Sequence, residues 1–196
     1  MATTEAYTGW RSGDCEGSPH CPPRCPRFVD KSGEALLVLP LGDDDDREAL
    51  VRMYDDFAVE HRSMELPPVG ESAIERWLGY LHDRGTNLVA WRGDRPVGHA
   101  GFVPLYDGDA EFFVFVHQAF HGRGIGSELT RQAIAYAAAA DHDGIVLSVE
   151  RYNRSAVAVY RRCGFVETGG GVRTLEMRLP LSDPIADEVR LAPGTA

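Results

Sequence analysis

The run "FFVFVHQAFHGRGIGSELTRQAIAYAAAA", Phe112 to Ala140, is the segment that decides the fold. Its first five residues are apolar on both faces, which predicts a strand in the interior of a sheet. Its last part has the composition and spacing of a helix. Between them stand Gly122, Gly124 and Gly126. A strand, a glycine-rich loop and a helix N-terminus direct unpaired backbone amides at an anion, so the segment predicts a diphosphate site.

Three known glycine arrangements compete for this loop. A nucleoside triphosphate loop requires Gly-Lys-Ser/Thr, and "GIGSEL" has no lysine. A dinucleotide fingerprint G-x-G-x-x-G that starts at Gly124 has Leu129 in place of its third glycine. Because Glu150, at the end of the next strand, could bind a ribose, a dinucleotide-binding oxidoreductase stays an alternative. A purely structural turn needs one or two glycines and rarely three.

The remaining sequence predicts the order of the other elements. "EALLVLPL" (Glu34–Leu41) is a first strand, followed by two amphipathic helices in "DDDDREALVRMYDDFAVEH" and "ESAIERWLGYLHDRG". Three strands then lead into the glycine loop, and a strand, a short helix and a hairpin follow it. This order predicts an α/β (α+β) fold with a central mixed, mostly antiparallel sheet of six to seven strands and about four helices. Residues 1–33 are assigned to a Cys/Pro-rich extension, 34–181 to the domain and 182–196 to a tail.

The composition limits the kinds of partner. The chain has 196 residues and a net charge of −10, and Lys31 is its only lysine. The acid excess favours adaptation to high salt, with an ordinary acidic surface as the alternative. Without a basic cluster, nucleic acid is not an expected partner. No apolar run approaches the ~20 residues of a membrane span and the N-terminus lacks a signal pattern, so a cytoplasmic protein is expected.

The segment "CEGSPHCPPRC" places four soft ligand groups within eleven residues. Cys15, His20, Cys21 and Cys25 could bind a structural zinc ion, although their spacing matches no standard knuckle. The interleaved prolines fit an extended arm equally well. A metal clip of this kind could dock on the domain or on the partner in a homodimer.

Two motifs resemble those of the GNAT superfamily, the acyl-CoA-dependent N-acetyltransferases. The run "VHQAFHGRGIGSEL" resembles the family's motif A, [R/Q]-x-x-G-x-[G/A], with His121 in the first position. A second run, "NRSAVAVYRRCGF", matches N-x-x-A-x-x-x-Y-x-x-x-G-F at all its fixed positions: Asn153, Ala156, Tyr160, Gly164 and Phe165. The resemblance covers residues 36–181 and implies a GNAT-like fold.

The resemblance implies direct transfer of the acetyl group of acetyl-CoA to an amine of a small molecule, peptide or protein. The backbone of Val114, Phe115 and Val116 would bind the pantetheine arm. The pyrophosphate would lie on Gly122, Arg123, Gly124, Ile125, Gly126 and Ser127. Asn153 would contact the pantetheine or cap its helix.

Tyr160 is the general acid that the resemblance implies, because a phenol can protonate the leaving thiolate. Some relatives use a carboxylate where this chain has Ser148, so Glu111 is the predicted general base, acting through water. Glu150, His99 and His117 are alternatives. Cys163 is interpreted as structural, which argues against an acyl-cysteine intermediate.

The acceptor is expected to enter beside the two helices, near Glu60 and His61. Because Ser148 is not a base, a non-catalytic CoA-binding module with the same fold is the alternative function.

Overall fold

The computed structural model of the chain describes residues 19–21, 23–58, 60, 62 and 66–190. Eight strands and five α-helices lie within these ranges. In chain order they are β1 (Arg27–Val29), β2 (Ala35–Pro40), α1 (Asp44–Asp55), α2 (Glu71–Arg84), β3 (Thr86–Arg92), β4 (Arg95–Pro104), β5 (Asp109–Val116), α3 (Ile125–Ala139), β6 (Gly144–Glu150), α4 (Arg154–Arg162), β7 (Val166–Gly169), β8 (Thr174–Pro180) and α5 (Pro184–Arg190).

The strands form one mixed sheet in the order β1-β2-β3-β4-β5-β6-β8-β7. The pairing of β5 with β6 is parallel and every other pairing is antiparallel. The predicted fold class is therefore confirmed, with a slightly larger strand count than expected. The strand at residues 112–116 belongs to β5, in the interior of the sheet, as its two apolar faces predicted.

The helices cover the two faces of the sheet. Along β3, Leu88 packs with the α3–α5 side while Val89 packs with α1 and α2, because successive strand residues point to opposite faces. Helix α1 contributes Leu50 to the second cluster, and α3 contributes Leu129 to the first. In the ranges given above, no helix has the length and apolar character that crossing a membrane requires.

Two elements lie outside the predicted domain bounds of 34–181. Strand β1 pairs with β2 at Arg27↔Leu37, and α5 buries Ala186 and Val189 beside α3. The triplet Arg27–Val29 is too short to show an alternating pattern, so it is identified as a strand only by its pairing with β2. Residues on both sides of the predicted domain thus pack as part of the same sheet and core.

The cysteine-rich segment does not form a metal site in the portion of the chain that the structure covers. No group of three or more His, Cys, Asp and Glu side chains gathers there. Cys25 is buried instead, and its carbonyl oxygen accepts a hydrogen bond of 2.6 Å from Gln132 Nε2. Cys15 lies outside the described residues. The zinc hypothesis for Cys15, His20, Cys21 and Cys25 is unsupported, since the described members of the set do not converge.

Candidate active site

A gap opens in the centre of the sheet because β5 and β6 diverge. They pair from Asp109↔Gly144 to Glu111↔Val146 and no further. Beyond Glu111, β5 continues to Val116 against β4 alone, and β6 continues to Glu150 against β8 alone. The facing edges of β5 after Glu111 and of β6 after Val146 therefore pair with no strand of the described sheet.

The hydrogen-bond register decides which backbone groups face this gap. The His117 N–H donates to Val97 O at 3.0 Å, and Asp109 O accepts from Leu105 N at 2.8 Å. In an antiparallel pair every second residue bonds to the partner strand, so Phe115 bonds towards β4 and the N–H groups of Val114 and Val116 face the gap. An extended chain that enters the gap can pair with them as an added strand.

The glycine loop lies at the mouth of the gap. Gly122 and Gly124 have φ angles of +75° and +90°, which favour glycine, and α3 begins after Gly124. Within the described residues, no hydrogen bond has an amide of residues 122–127 as its donor. A Cβ added at Gly126 would be 3.6 Å from Cγ2 of Val116, so the first turn of α3 touches the end of β5. The loop thus presents unpaired amides beside the gap.

The side chain of Arg123 points away from these amides. Its Nη1 donates to Glu34 Oε2 at 3.0 Å, and its guanidinium lies over the Phe120 ring, 4.8 Å from the ring centre. His121 is also occupied, because its Nε2 donates to Val116 O at 2.8 Å. The main chain of Arg123 therefore lies at the predicted phosphate site, and its side chain does not.

Tyr160 of α4 lies beside the start of the gap. Its ring packs on Phe112 and Phe165, with centroid distances of 6.1 Å and 5.7 Å, and Phe112 follows the last β5–β6 pair. Burial raises the pKa of the phenol. Its hydroxyl makes no hydrogen bond to the described residues. It is also not one of the fully buried polar atoms that lack a partner, so the oxygen is accessible to solvent.

The N-terminus of α4 is fixed by Asn153. Its Oδ1 accepts hydrogen bonds from Ala156 N at 3.2 Å and Ser155 Oγ at 3.0 Å, which makes it a helix cap. The side-chain nitrogen Nδ2 of Asn153 makes no hydrogen bond within the described chain, whereas its backbone N–H donates to Glu150 O at 2.9 Å.

Glu111 precedes Phe112 on β5 and lies on the face of the sheet opposite to Tyr160. It is exposed and lies on the same side of β5 as Phe113 and Phe115, which pack towards Trp77 of α2. Tyr160 packs against Phe112 on the other side. A group in the gap therefore lies between a phenol on one face and a carboxylate on the other. Ser148 is exposed on the same face of β6 as Val146, the residue paired with Glu111, and contributes no carboxylate.

His99 is fully buried and belongs to a hydrogen-bond network. Asn87 Nδ2 donates to Leu81 O at 2.8 Å, so its Oδ1 accepts from His99 Nε2 at 3.1 Å. His99 Nδ1 then accepts from the Tyr54 hydroxyl at 2.7 Å. Burial lowers the pKa of His99 to about 3. Every polar atom of this imidazole has a partner inside the core, which gives His99 a structural role.

The buried imidazole makes stability depend on pH. The pKa of His99 is about 3 in the folded chain against an ordinary 6.5, so between these values the unfolded chain binds the extra proton. The free energy of unfolding should therefore decrease as the pH is lowered, by about 1.6 kcal/mol from pH 6.5 to pH 5 for this group. Denaturant titrations should show a flatter dependence for His99→Gln. An unchanged slope in that variant would contradict the argument, and exposed His82→Gln serves as the control.

His117 is buried at the end of β5 and is oriented by two contacts. Its Nδ1 accepts from Ala119 N at 3.3 Å, and its Nε2 contacts Asp56 Oδ2 at 3.0 Å. It lines a cleft of about 390 Å³ between α1 and the start of β4. The structure therefore does not bring His117 together with Tyr160 at the start of the gap. Glu60 is exposed, while His61 lies outside the described residues.

An aromatic surface that sequence reasoning missed flanks Glu111. Trp77, Phe113 and Phe115 are partly exposed, with ring centres 5.7 to 6.3 Å apart. Trp77 belongs to α2 and the two phenylalanines to β5, so no local pattern in the sequence joins the tryptophan to them.

The sheet is split after its parallel pair, and unpaired amides precede the helix beside the split, which is the arrangement implied by the resemblance to the acyl-CoA-dependent N-acetyltransferases. The family model for the acetyltransferase (GNAT) family matches residues 48–165, more than half of the chain. The chain therefore belongs to this family of acyl-CoA-dependent N-acetyltransferases.

Individual relatives are distant in sequence but similar in fold. YwnH of Bacillus subtilis (strain 168), which carries a provisional phosphinothricin acetyltransferase name, is 24% identical over 145 residues, 68% of this chain and 86% of YwnH. The GNAT domain of S. lividans PAT superposes with a TM-score of 0.69 at 20% identity, covering 79% of this chain and 96% of that domain. YncA of Salmonella typhimurium, solved with acetyl-CoA, gives 0.61 at 22% identity, covering 76% and 95%.

Proposed function

We propose that the protein binds acetyl-CoA and transfers its acetyl group directly to an amine of a small molecule, peptide or protein. The observation that supports this most is the gap between β5 and β6 with the unpaired amides of residues 122–127 at its mouth. The amides receive the pyrophosphate and the exposed edge of β5 receives the pantetheine. Binding of acetyl-CoA by the distant relative YncA supports the same cofactor.

The roles of the two titratable groups follow from their places on either side of the gap. The amine nitrogen attacks the thioester carbonyl, the N–C bond forms, and the C–S bond breaks. Glu111 accepts the amine proton through water, and Tyr160 donates its proton to the leaving thiolate. Burial raises the pKa of the phenol, and a thiolate formed in the same desolvated gap gains proton affinity for the same reason.

The aromatic surface supports an acceptor that carries its amine on an apolar or cationic body. Trp77, Phe113 and Phe115 offer ring faces to such a group, and Glu111 lies on the same side of β5. A panel of aliphatic, aromatic and peptide amines would identify the class.

Calorimetric titration with acetyl-CoA, followed by thiol release in the presence of the amine panel, tests the proposal. Acetyl-CoA should bind, raise the melting temperature and be consumed with at least one amine. Tight binding without turnover on any amine would favour a non-catalytic CoA-binding module. Binding of NAD(P) that acetyl-CoA fails to displace would favour an oxidoreductase.

Glu111→Gln should lower kcat/KM for the amine by about 10²-fold near neutral pH, because the variant cannot accept the proton. The loss should shrink as pH rises and more of the amine is already deprotonated. The measurement is a pH profile of kcat/KM with an amine from the panel.

Glu176→Gln is the matched control, because Glu176 is exposed on β8 opposite Ser148, on the same face. It should change kcat/KM less than threefold. Equal losses in both variants would show that the negative charge of the face matters, and that Glu111 is not a base.

A further inference from the structure

The turn between β1 and β2 brings the only lysine of the chain to the glycine loop. The Lys31 N–H donates to Arg123 O at 3.0 Å. Along the side chain, Cγ and Cε both come within 3.7 Å of the position that a Cβ on Gly124 would occupy. The lysine thus lies over Gly124, the residue that precedes α3, within the run of unpaired amides at residues 122–127.

The turn that carries Lys31 is fixed by its own hydrogen bonds. Asp30 Oδ1 accepts from Ser32 N at 2.8 Å and from Glu34 N at 3.0 Å, and Gly33 N donates to Asp30 O at 3.0 Å. Asp30 itself is buried. The backbone of Lys31 is therefore held in place before any ligand arrives.

The carboxylates around the turn pair with arginines and not with Lys31. Arg123 is 3.0 Å from Glu34 and 3.7 Å from Asp30, and Arg92 makes a second ion pair with Glu34. Two guanidinium groups thus neutralise the two carboxylates. Lys31 is exposed and its ammonium has no partner within the described residues. In a chain with a net charge of −10, this corner has a local positive excess.

We infer that Lys31 is a binding residue for the pyrophosphate of the acyl-CoA substrate, and this rests on the function proposed above. The ammonium adds a charged contact to phosphate oxygens that the amides of the loop already hold. Lys31, and not Arg123, supplies this charged contact, because the guanidinium of Arg123 is bound to the β1–β2 turn.

The first test compares the affinity of variants for acetyl-CoA by calorimetry in low salt. Lys31→Ala should raise Kd roughly three- to tenfold, as expected for one exposed charged contact, and Lys31→Arg should stay near the native value. The difference should shrink in high salt. Arg76→Ala, which removes an exposed cation from α2 on the opposite face, should have no effect. An unchanged Kd for Lys31→Ala would overturn the inference.

The second test uses the single lysine as a chemical probe. An amine-reactive ester should modify Lys31 in the unliganded protein, with the extent read by mass spectrometry of the peptide that contains it. Coenzyme A and dephospho-coenzyme A should both protect Lys31, and pantetheine, which has no phosphate, should not. Protection by coenzyme A alone would assign the contact to the 3′-phosphate and overturn the inference.

The two failures are distinguishable. If acetyl-CoA binds the native protein but Lys31 stays fully reactive in the saturated complex, the inference is wrong and the proposed function stands. If the native protein does not bind acetyl-CoA at all, both are wrong.

Discussion

Replacing Tyr160 by phenylalanine should lower kcat by about 10²- to 10⁴-fold and change KM for acetyl-CoA less than threefold. The ring would still pack on Phe112 and Phe165, and no hydrogen bond within the described chain would be lost. In the proposed mechanism, the variant removes only the proton that Tyr160 donates to the leaving thiolate. The measurement is steady-state thiol release, with the melting temperature as a check on folding.

The pH profile gives a second readout for Tyr160. Burial raises the pKa of its phenol, so the group stays protonated through the neutral and mildly alkaline range. The native enzyme should therefore show no alkaline loss of kcat up to about pH 10 that is due to this residue.

The matched control is Tyr136→Phe, which removes a half-buried phenol from α3, and kcat should be unaffected. A Tyr160→Phe variant with native kcat would show that solvent, and not this residue, protonates the thiolate.

The fold was predictable because its central segment carries strong local signals. Three features each depend on a short stretch of sequence. They are the apolar strand at residues 112–116, the positive-φ glycines at 122 and 124, and the N-x-x-A spacing that places Asn153 at a helix cap. These features give the strand, the loop and the cap directly. The predicted sheet was therefore correct in class.

The parts that could not be predicted depend on contacts between distant residues. The β5–β6 divergence after Glu111 is a matter of pairing register, and the orientation of Arg123 depends on Glu34, 89 positions earlier. The role of His99 as a neutral core residue depends on Tyr54 and Asn87. Local patterns contain none of these partners. Salt adaptation stays a prediction, since it concerns the whole surface.

The packing of the N-terminal segment also could not be predicted from local sequence, because it depends on the distant contacts of one arginine. Arg24 Nε donates to Glu128 Oε1 of α3 at 2.7 Å, and both side chains are 8% exposed. Its Nη1 donates to Val189 O of α5 at 2.6 Å. One side chain thus connects the segment before β1 with two helices that are more than 100 positions away in sequence.

Replacing Arg24 by methionine should lower the free energy of unfolding by about 3 kcal/mol, because it leaves the carboxylate of Glu128 buried without its main partner. This loss of stability is at the lower end of the range for breaking a buried ion pair, because Arg131 and Gln132 remain at 3.8 Å and 3.3 Å from Glu128. For a chain of this size we expect the melting temperature to fall by roughly 6–12 °C.

Two companion variants separate the buried pair from a general effect of losing an arginine. Arg47→Ala breaks an exposed pair with Asp44 on α1 and should cost less than about 0.5 kcal/mol. The double variant Arg24→Met with Glu128→Leu removes both charges and should recover most of the stability, because an apolar pair of similar volume needs no partner. A double variant as unstable as Arg24→Met alone would show that the bond from Arg24 to Val189 O, and not the ion pair, holds the segment against α3 and α5.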